Sequence, residues 1–174
     1  MNVAVLGSGS WATALAKIVM HNVAEINWYI RKQETIDEFR EIRRNPNHLE
    51  WAYFDISRIN FSNDINQVLS EAELVILAVP SPYVKDVLAE ITVDMSQKKV
   101  ISAVKGMIPG DNILVTDYMH QHFHVPEANL GMITGPCHAE EIALERLSYL
   151  TIGCKDTANA TEWKKLFDTP YVRT

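Results

Sequence analysis

The chain has 174 residues, of which 47% are hydrophobic and 22% are charged, a profile that excludes a disordered or fibrous protein and predicts one compact soluble domain. Sixteen basic and twenty-two acidic residues give a net charge of −6, which argues against a general nucleic-acid or anionic-membrane surface. Two cysteines are too few for a disulfide scaffold, and no apolar run approaches a membrane span. We therefore expect a cytoplasmic protein with no membrane span.

Apolar runs alternate with stretches whose apolar residues recur every three or four positions, as in strands followed by helices. In chain order this predicts strand 1–7, helix 11–23, strand 26–30, helix 36–43, strand 59–61, helix 64–70, strand 74–79, helix 83–91, strand 99–104, helix 112–121, strand 130–134, helix 138–146, strand 148–152 and helix 158–167. Residues 45–57 are predicted to be irregular, and residues 171–174 to begin another strand. The repeated units indicate an α/β fold, a Rossmann-like doubly wound, mostly parallel sheet with helices on both faces.

A glycine-rich loop lies between the first predicted strand and helix and reads Gly7-Ser-Gly-Ser-Trp-Ala12, a Gly-x-Gly-x-x-Ala pattern. Gly7 would permit a tight turn, Gly9 has no Cβ to block a pyrophosphate, and Ala12 lets the helix pack closely on the strand. The free N–H groups of the helix start would face the phosphates. A turn that needs its glycines only for geometry is the alternative.

The second predicted strand ends in Arg31 and Lys32. Dinucleotide sites often carry there an acidic residue that binds the ribose 2′-hydroxyl. Because no carboxylate competes at this position, a cation could pair with a 2′-phosphate or stack on adenine. We hypothesise that NADPH is accepted at least as well as NADH. The alternative is that both charges are simply solvated.

Other chemically useful residues also follow strands. Ligands of open parallel sheets bind beyond the carboxyl ends of the strands, where Pro80, Lys105 and Gly135 are predicted to lie. Lys105 could direct a point charge toward a phosphate or a developing alkoxide. An exposed lysine without such a role is the alternative.

Four separated motifs resemble the NAD(P)-dependent glycerol-3-phosphate dehydrogenases, in the order and spacing of that family across essentially the whole chain. They read Gly7-Ser-Gly-Ser-Trp-Ala-Thr-Ala-Leu-Ala16, Leu77-Ala-Val-Pro-Ser81, Val104-Lys-Gly106 and Gly135-Pro-Cys-His-Ala-Glu-Glu141. The resemblance implies that the intact enzyme interconverts sn-glycerol 3-phosphate and dihydroxyacetone phosphate with NAD or NADP, feeding glycerophospholipid synthesis. The oligomeric state is left open, with a homodimer as one alternative.

The resemblance also implies roles for particular residues. The cofactor-binding set is Gly7, Gly9, Ser10, Trp11, Arg31, Lys32, Pro80, Lys105 and Ala139, and the substrate-binding set is Lys105, Gly135 and Cys137. Cys137 departs from the family, in which serine, threonine or asparagine is more usual, so side-chain contact is in doubt there. The family carries its principal catalytic lysine in a helical second domain. We therefore interpret residues 1–174 as the NAD(P)-binding domain, in which Lys105 supports catalysis but is not the principal catalytic residue. The helical second domain is expected after residue 174.

Three side-chain groups admit other interpretations. Cys137 beside His138 suggests a nucleophile, but hydride transfer needs no covalent intermediate. His120 and His124 could share a helix face, but Pro126 and the polar residues after it indicate that the helix is ending there, so no metal is expected. By resemblance, Tyr53 would approach the adenine side, although an aromatic side chain there is more often core or subunit contact.

Two further functional classes stay open. One is another dehydrogenase of the 6-phosphogluconate dehydrogenase-like superfamily, such as a ketopantoate reductase, which shares the glycine loop but not the motif at residues 135–141. The other is a non-catalytic nucleotide-sensing domain, which would need no substrate lysine.

Overall fold

The computed structural model describes all residues, 1–174, and contains nine strands and seven α-helices. The strands are β1 Val3–Leu6, β2 Ile26–Tyr29, β3 Ile59–Ser62, β4 Leu74–Leu77, β5 Lys99–Ser102, β6 Leu130–Thr134, β7 Ser148–Tyr149, β8 Thr151–Cys154 and β9 Val172–Arg173. The helices are α1 Ser10–Val19, α2 Gln33–Ile42, α3 Ile65–Ser70, α4 Val84–Ala89, α5 Val115–Phe123, α6 Ala139–Ala143 and α7 Thr157–Phe167.

Seven strands form one sheet in the order β3-β2-β1-β4-β5-β6-β8. All neighbours are parallel except β8, which pairs antiparallel to β6 at one edge. The strand order reverses between β1 and β4, the arrangement in which doubly wound folds open a ligand crevice. The predicted α/β, mostly parallel fold is therefore confirmed.

The central strands are apolar on both faces because helices cover both sides of the sheet. In β1, Val3 and Val5 join one core cluster, which also contains apolar residues of α1, α2, α6 and α7, while Ala4 and Leu6 join the other, with α3, α4 and α5. This alternation explains why the first strand is a continuous apolar run in the sequence. None of the helices combines the length and hydrophobicity that crossing a membrane requires.

An aromatic cluster fills the core beneath α2. Phe39 of α2 contacts Trp28, Phe54 and Phe61, with ring centroids 5.0 to 5.4 Å apart. Phe54 comes from the 45–57 segment, which is irregular apart from one helical turn at Ile56–Arg58, as its sequence predicts. This buried ring attaches the segment to the core.

Several predicted elements differ from the structure at their ends; the predicted helix 11–23, for example, stops at Val19. Three of the differences have a clear physical cause. The predicted strand 148–152 is two strands, because the chain leaves the two-stranded β7–β9 sheet at the buried Leu150 and enters the main sheet as β8. The predicted helix 138–146 stops at Ala143, where Glu145 takes a left-handed conformation (φ 56°). The predicted helix 112–121 begins only at Val115, since Asn112 is left-handed as well (φ 53°).

Phe39→Ala tests the aromatic cluster. The substitution removes a fully buried ring and leaves a cavity against three others, so the free energy of unfolding should fall by about 3–5 kcal/mol. Urea denaturation measures the change. Tyr83→Ala, which truncates an exposed ring, is the matched control and should cost less than about 1 kcal/mol. Equal losses for the two variants would contradict the assignment of Phe39 to the core.

Candidate functional site

A cleft of about 340 Å³ lies at the carboxyl ends of β1, β4 and β5. Its lining comprises Gly9, Ser10, Trp11, Ala78, Val79, Pro80, Ser81, Pro82, Ala103, Val104 and Lys105. Parallel strands end at the same edge of the sheet, so the fold brings together residues as far apart in sequence as Gly9 and Lys105. The structure thus gathers five residues of the predicted cofactor set around one opening, namely Gly9, Ser10, Trp11, Pro80 and Lys105.

Gly7 and Gly9 have different structural reasons to be glycine. Gly7 has φ +119°, and a Cβ on it would stand 2.6 Å from the carbonyl oxygen of Ala78. A Cβ on Gly9 would meet nothing within 4 Å. The fold itself therefore requires Gly7, whereas the only visible benefit of glycine at position 9 is open space above the start of α1.

That open space is suited to an anion. The N–H groups in the first turn of an α-helix have no intrahelical acceptor, and the helix dipole adds positive potential there. The first turn of α1 carries no acidic side chain, and the cap residue Gly9 has no side chain to occupy its donors. A phosphate can approach these N–H groups without steric or electrostatic opposition.

Side chains from three parts of the chain hold the carbonyl groups of the glycine loop. The Trp28 indole Nε1 donates to Gly7 O (2.7 Å), and the Thr13 hydroxyl donates to Gly9 O (2.9 Å). Asn45 Nδ2 donates to Ser8 O (2.8 Å). Because these carbonyls are engaged by the protein, they do not repel an anion above the loop as free carbonyls would.

Sequence reasoning missed Asn45, although its side chain is only 2% exposed. Its Nδ2 also donates to the Thr13 hydroxyl (2.8 Å), and its Oδ1 accepts from the backbone N–H of Asn47 (3.0 Å). The amide therefore joins the 45–57 segment to the glycine loop and to α1. No local pattern marks this role, since it depends on a contact over more than thirty residues.

Lys105 follows β5 and spans the cleft toward α1. Its Nζ lies 5.6 Å from the centroid of the Trp11 ring, within the range of a cation–π contact. The side chain is exposed and forms no ion pair. The charge is thus held beside the cleft by an aromatic face and stays available to an anionic ligand.

The predicted substrate residues Gly135 and Cys137 lie beyond the end of β6. Gly135 has φ +150°, and a Cβ on it would stand 2.5 Å from the carbonyl oxygen of Tyr149. Cys137 is only 7% exposed and packs in the core cluster on the α1 side of the sheet, as does Ala139 at the start of α6. Backbone groups, rather than the Cys137 side chain, are what this segment offers at the surface.

Cys137 does not have the environment of a nucleophile. Burial raises the pKa of its thiol and the Glu141 carboxylate adds to the rise, while a hydrogen bond from the backbone and the charge of Lys105 partly offset it. The thiol therefore stays protonated at neutral pH. The structure gives no support to the nucleophile interpretation of the Cys137-His138 pair.

Arg31 and Lys32 are exposed at the carboxyl end of β2, the strand beside β1. Neither side chain forms an ion pair or a hydrogen bond to a protein group. They do not line the 340 Å³ cleft. The structure places them on the same edge of the sheet, one strand away from the glycine loop.

The remaining aromatic and histidine candidates lie away from the cleft. Tyr53 is 64% exposed, packs under Arg44 and lines a separate surface cleft of about 540 Å³ with Trp51. His120 Nδ1 is within 2.9 Å of Val125 O, a contact that fastens the end of α5. A histidine that the sequence did not single out, His48, does reach the glycine loop, with its Nδ1 3.2 Å from the Ser10 hydroxyl.

Comparison with known proteins places this geometry in a family context. The profile of the NAD-dependent glycerol-3-phosphate dehydrogenase N-terminus matches residues 2–160. A glycerol-3-phosphate dehydrogenase [NAD(P)+] from an Exiguobacterium species is 30% identical over 95% of this chain, and one from Enterococcus faecalis is 29% identical over 98%. The chain spans about half the length of these relatives, 49% and 51%.

Solved structures agree with the same fold. Plasmodium falciparum glycerol-3-phosphate dehydrogenase superposes with a TM-score of 0.88 and 30% identity, covering 99% of this chain and 51% of that one. A GDP-mannose dehydrogenase from Pseudomonas aeruginosa superposes with a TM-score of 0.75 at 12% identity, covering 96% of this chain and 44% of that one, which shows a shared fold alone.

Alkylation tests the state of Cys137. Because only the thiolate reacts and burial disfavours it, iodoacetamide at pH 7.5 should modify Cys137 at least about tenfold more slowly in the folded chain than in urea. The rate should rise with pH as the thiolate forms. Mass spectrometry of the peptide that contains Cys137 measures the rate. Faster labelling in the folded chain than in urea would restore the nucleophile interpretation.

Proposed function

This chain belongs to the NAD-dependent glycerol-3-phosphate dehydrogenase N-terminus family, and we propose that residues 1–174 are the NAD(P)-binding domain of an enzyme that interconverts sn-glycerol 3-phosphate and dihydroxyacetone phosphate. The observation that carries the proposal is the glycine loop. Gly7 is fixed by contact with β4, while the unobstructed Gly9 leaves room for a pyrophosphate at the start of α1. The residues present therefore fit a dinucleotide.

The bound cofactor would supply the hydride chemistry, and this chain would supply position and charge. The helix start at Ser10 and Trp11 binds the pyrophosphate through backbone N–H groups. Pro80 lies three residues beyond the end of β4 in the wall of the cleft, and Ala139 borders the cofactor from the start of α6. Each of these assignments agrees with the position of the residue at the carboxyl edge of the sheet.

Lys105 serves both ligands in this proposal. Its ammonium group, now over the Trp11 ring, is close enough to the cleft to pair with a substrate phosphate or with an oxygen that gains negative charge. Gly135 and Cys137 bind the substrate through their backbone. A buried, protonated thiol is a weak hydrogen-bond partner, so we assign no contact to the Cys137 side chain.

The remaining expectations are proposals about the longer enzyme. We propose that the principal catalytic lysine lies in a separate helical domain and that residues 1–174 alone bind cofactor without substantial turnover. The twofold greater length of the relatives supports this division. A cytoplasmic location, a homodimer and a role in glycerophospholipid synthesis are further proposals, and the two free cysteines agree with the first.

We also propose that NADPH is bound at least as tightly as NADH. Arg31 and Lys32 stand where other dinucleotide sites place a carboxylate, and no protein group neutralises either charge. A 2′-phosphate would therefore find two available cations, one of which could stack on adenine instead.

Gly9→Ala tests the dinucleotide site. The added methyl has free space in the protein but occupies the path of the pyrophosphate, so the affinity for NADH and NADPH should fall at least about tenfold at unchanged stability. Calorimetric titration and thermal unfolding measure the two effects. Gly7→Ala is the comparison, because its clash with Ala78 should cost about 2–4 kcal/mol of stability. Absence of dinucleotide binding by the unmodified chain would overturn the proposed function.

Cofactor preference is tested with the double variant Arg31→Ala, Lys32→Ala. Loss of the charge-assisted contacts to a 2′-phosphate should weaken NADPH binding about tenfold or more, while NADH binding changes less than about threefold. Lys165→Glu at an exposed position on α7 lowers the net charge by the same two units and is the control. A chain that prefers NADH, with the preference unaltered in the double variant, would rule out the proposed role of these cations.

A further inference from the structure

We propose that His48 is a further cofactor-binding residue, which contacts the diphosphate of the dinucleotide beside the N-terminus of α1. The inference rests on the proposed function, because it adds a residue to the same site. The glycine loop supplies backbone N–H groups, and the 45–57 segment supplies an imidazole next to them. The sequence gives no sign of this partnership, since the two segments lie almost forty residues apart.

The first observation is the position of the ring. His48 Nδ1 lies 3.2 Å from the hydroxyl oxygen of Ser10, the first residue of α1. Ser10 also lines the 340 Å³ cleft. The imidazole therefore stands at the helix start where the diphosphate is proposed to bind. His48 is exposed, so no layer of protein separates it from an incoming ligand.

The second observation is that the ring is held in place by buried anchors on both sides. On one side, Asn45 is hydrogen-bonded to Ser8 O and to the Thr13 hydroxyl. On the other side, Leu49 buries its side chain in the core with a left-handed backbone, φ 53°, which a leucine adopts only at a conformational cost. The chain is thus anchored three residues before His48 and one residue after it.

The third observation is chemical fit. An imidazole can donate a hydrogen bond in either protonation state, and it becomes a double donor with a positive charge when protonated. The backbone N–H groups of α1 are donors without charge, so a diphosphate bound by them alone keeps its full negative charge. The His48 imidazole lies within hydrogen-bond distance of the Ser10 hydroxyl at the helix start, so it can complement that charge in addition to Lys105.

Ligand binding by His48→Ala tests the contact, with NADH and ADP-ribose as probes because both contain the diphosphate. We expect the affinity for each to fall about tenfold, and the thermal unfolding temperature to stay unchanged because the side chain is exposed. His48→Gln keeps an amide donor and should lose less affinity than His48→Ala. His122→Gln, at an exposed position on α5, is the matched control and should bind like the unmodified chain.

A double-mutant comparison separates direct contact from positioning of Ser10. If His48 contacts the diphosphate itself, Ser10→Ala with His48→Ala should bind more weakly than Ser10→Ala alone. Equal affinity of these two variants would overturn the inference, because His48 would then act only through the Ser10 hydroxyl. A loss confined to NADH, with ADP-ribose unaffected, would also overturn it, since the contact would then lie toward the nicotinamide.

The outcomes distinguish this inference from the proposed function. An unmodified chain that binds both probes, together with a His48→Ala variant of equal affinity, removes His48 from the site and leaves the dinucleotide site intact. An unmodified chain that binds neither probe overturns the proposed function and this inference together.

Discussion

The hydrogen bond from the Trp28 indole to the carbonyl oxygen of Gly7 joins the hydrophobic core to the glycine loop. Trp28 is fully buried and is surrounded by Phe39, Phe54 and Phe61. A buried indole N–H without an acceptor is costly, so the core is completed only when the loop takes its observed conformation. Packing of the aromatic cluster and the conformation of the glycine loop therefore depend on each other.

The same logic extends outward from the loop. Asn45 is a buried amide whose N–H groups must be satisfied, and the loop and α1 supply both acceptors. The irregular 45–57 segment is therefore anchored to the rest of the domain. It is fixed to the glycine loop by Asn45 and to the core by Phe54, and these anchors hold the exposed His48 within 3.2 Å of the Ser10 hydroxyl.

Periodicity was sufficient to predict the sheet, the layers and the edge of the site, because these depend on local patterns. Strand β4 is fully apolar and is followed by Pro80, and β5 is followed by Lys105, so the common location of these two residues follows from parallel topology alone. The contributions of Asn45 and His48 could not be predicted, since a polar side chain in an irregular segment has no periodicity that reveals its partner. The break at Leu150 was missed for a related reason: an apolar run does not show that its two halves pair with different sheets.

The three glycines of the proposed site are constrained in two different ways, two by the fold and one by the proposed ligand. A Cβ on Gly7 would clash with the carbonyl oxygen of Ala78, and a Cβ on Gly135 would clash with that of Tyr149. A larger residue at either position would therefore force the backbone to shift. A Cβ on Gly9 would touch no protein atom, so in the proposed site the ligand alone requires glycine there. If a descendant of this chain lost its cofactor, the fold would still require Gly7 and Gly135, whereas other residues could replace Gly9. Of these three positions, position 9 is therefore the one where a substitution would mark the loss of cofactor binding.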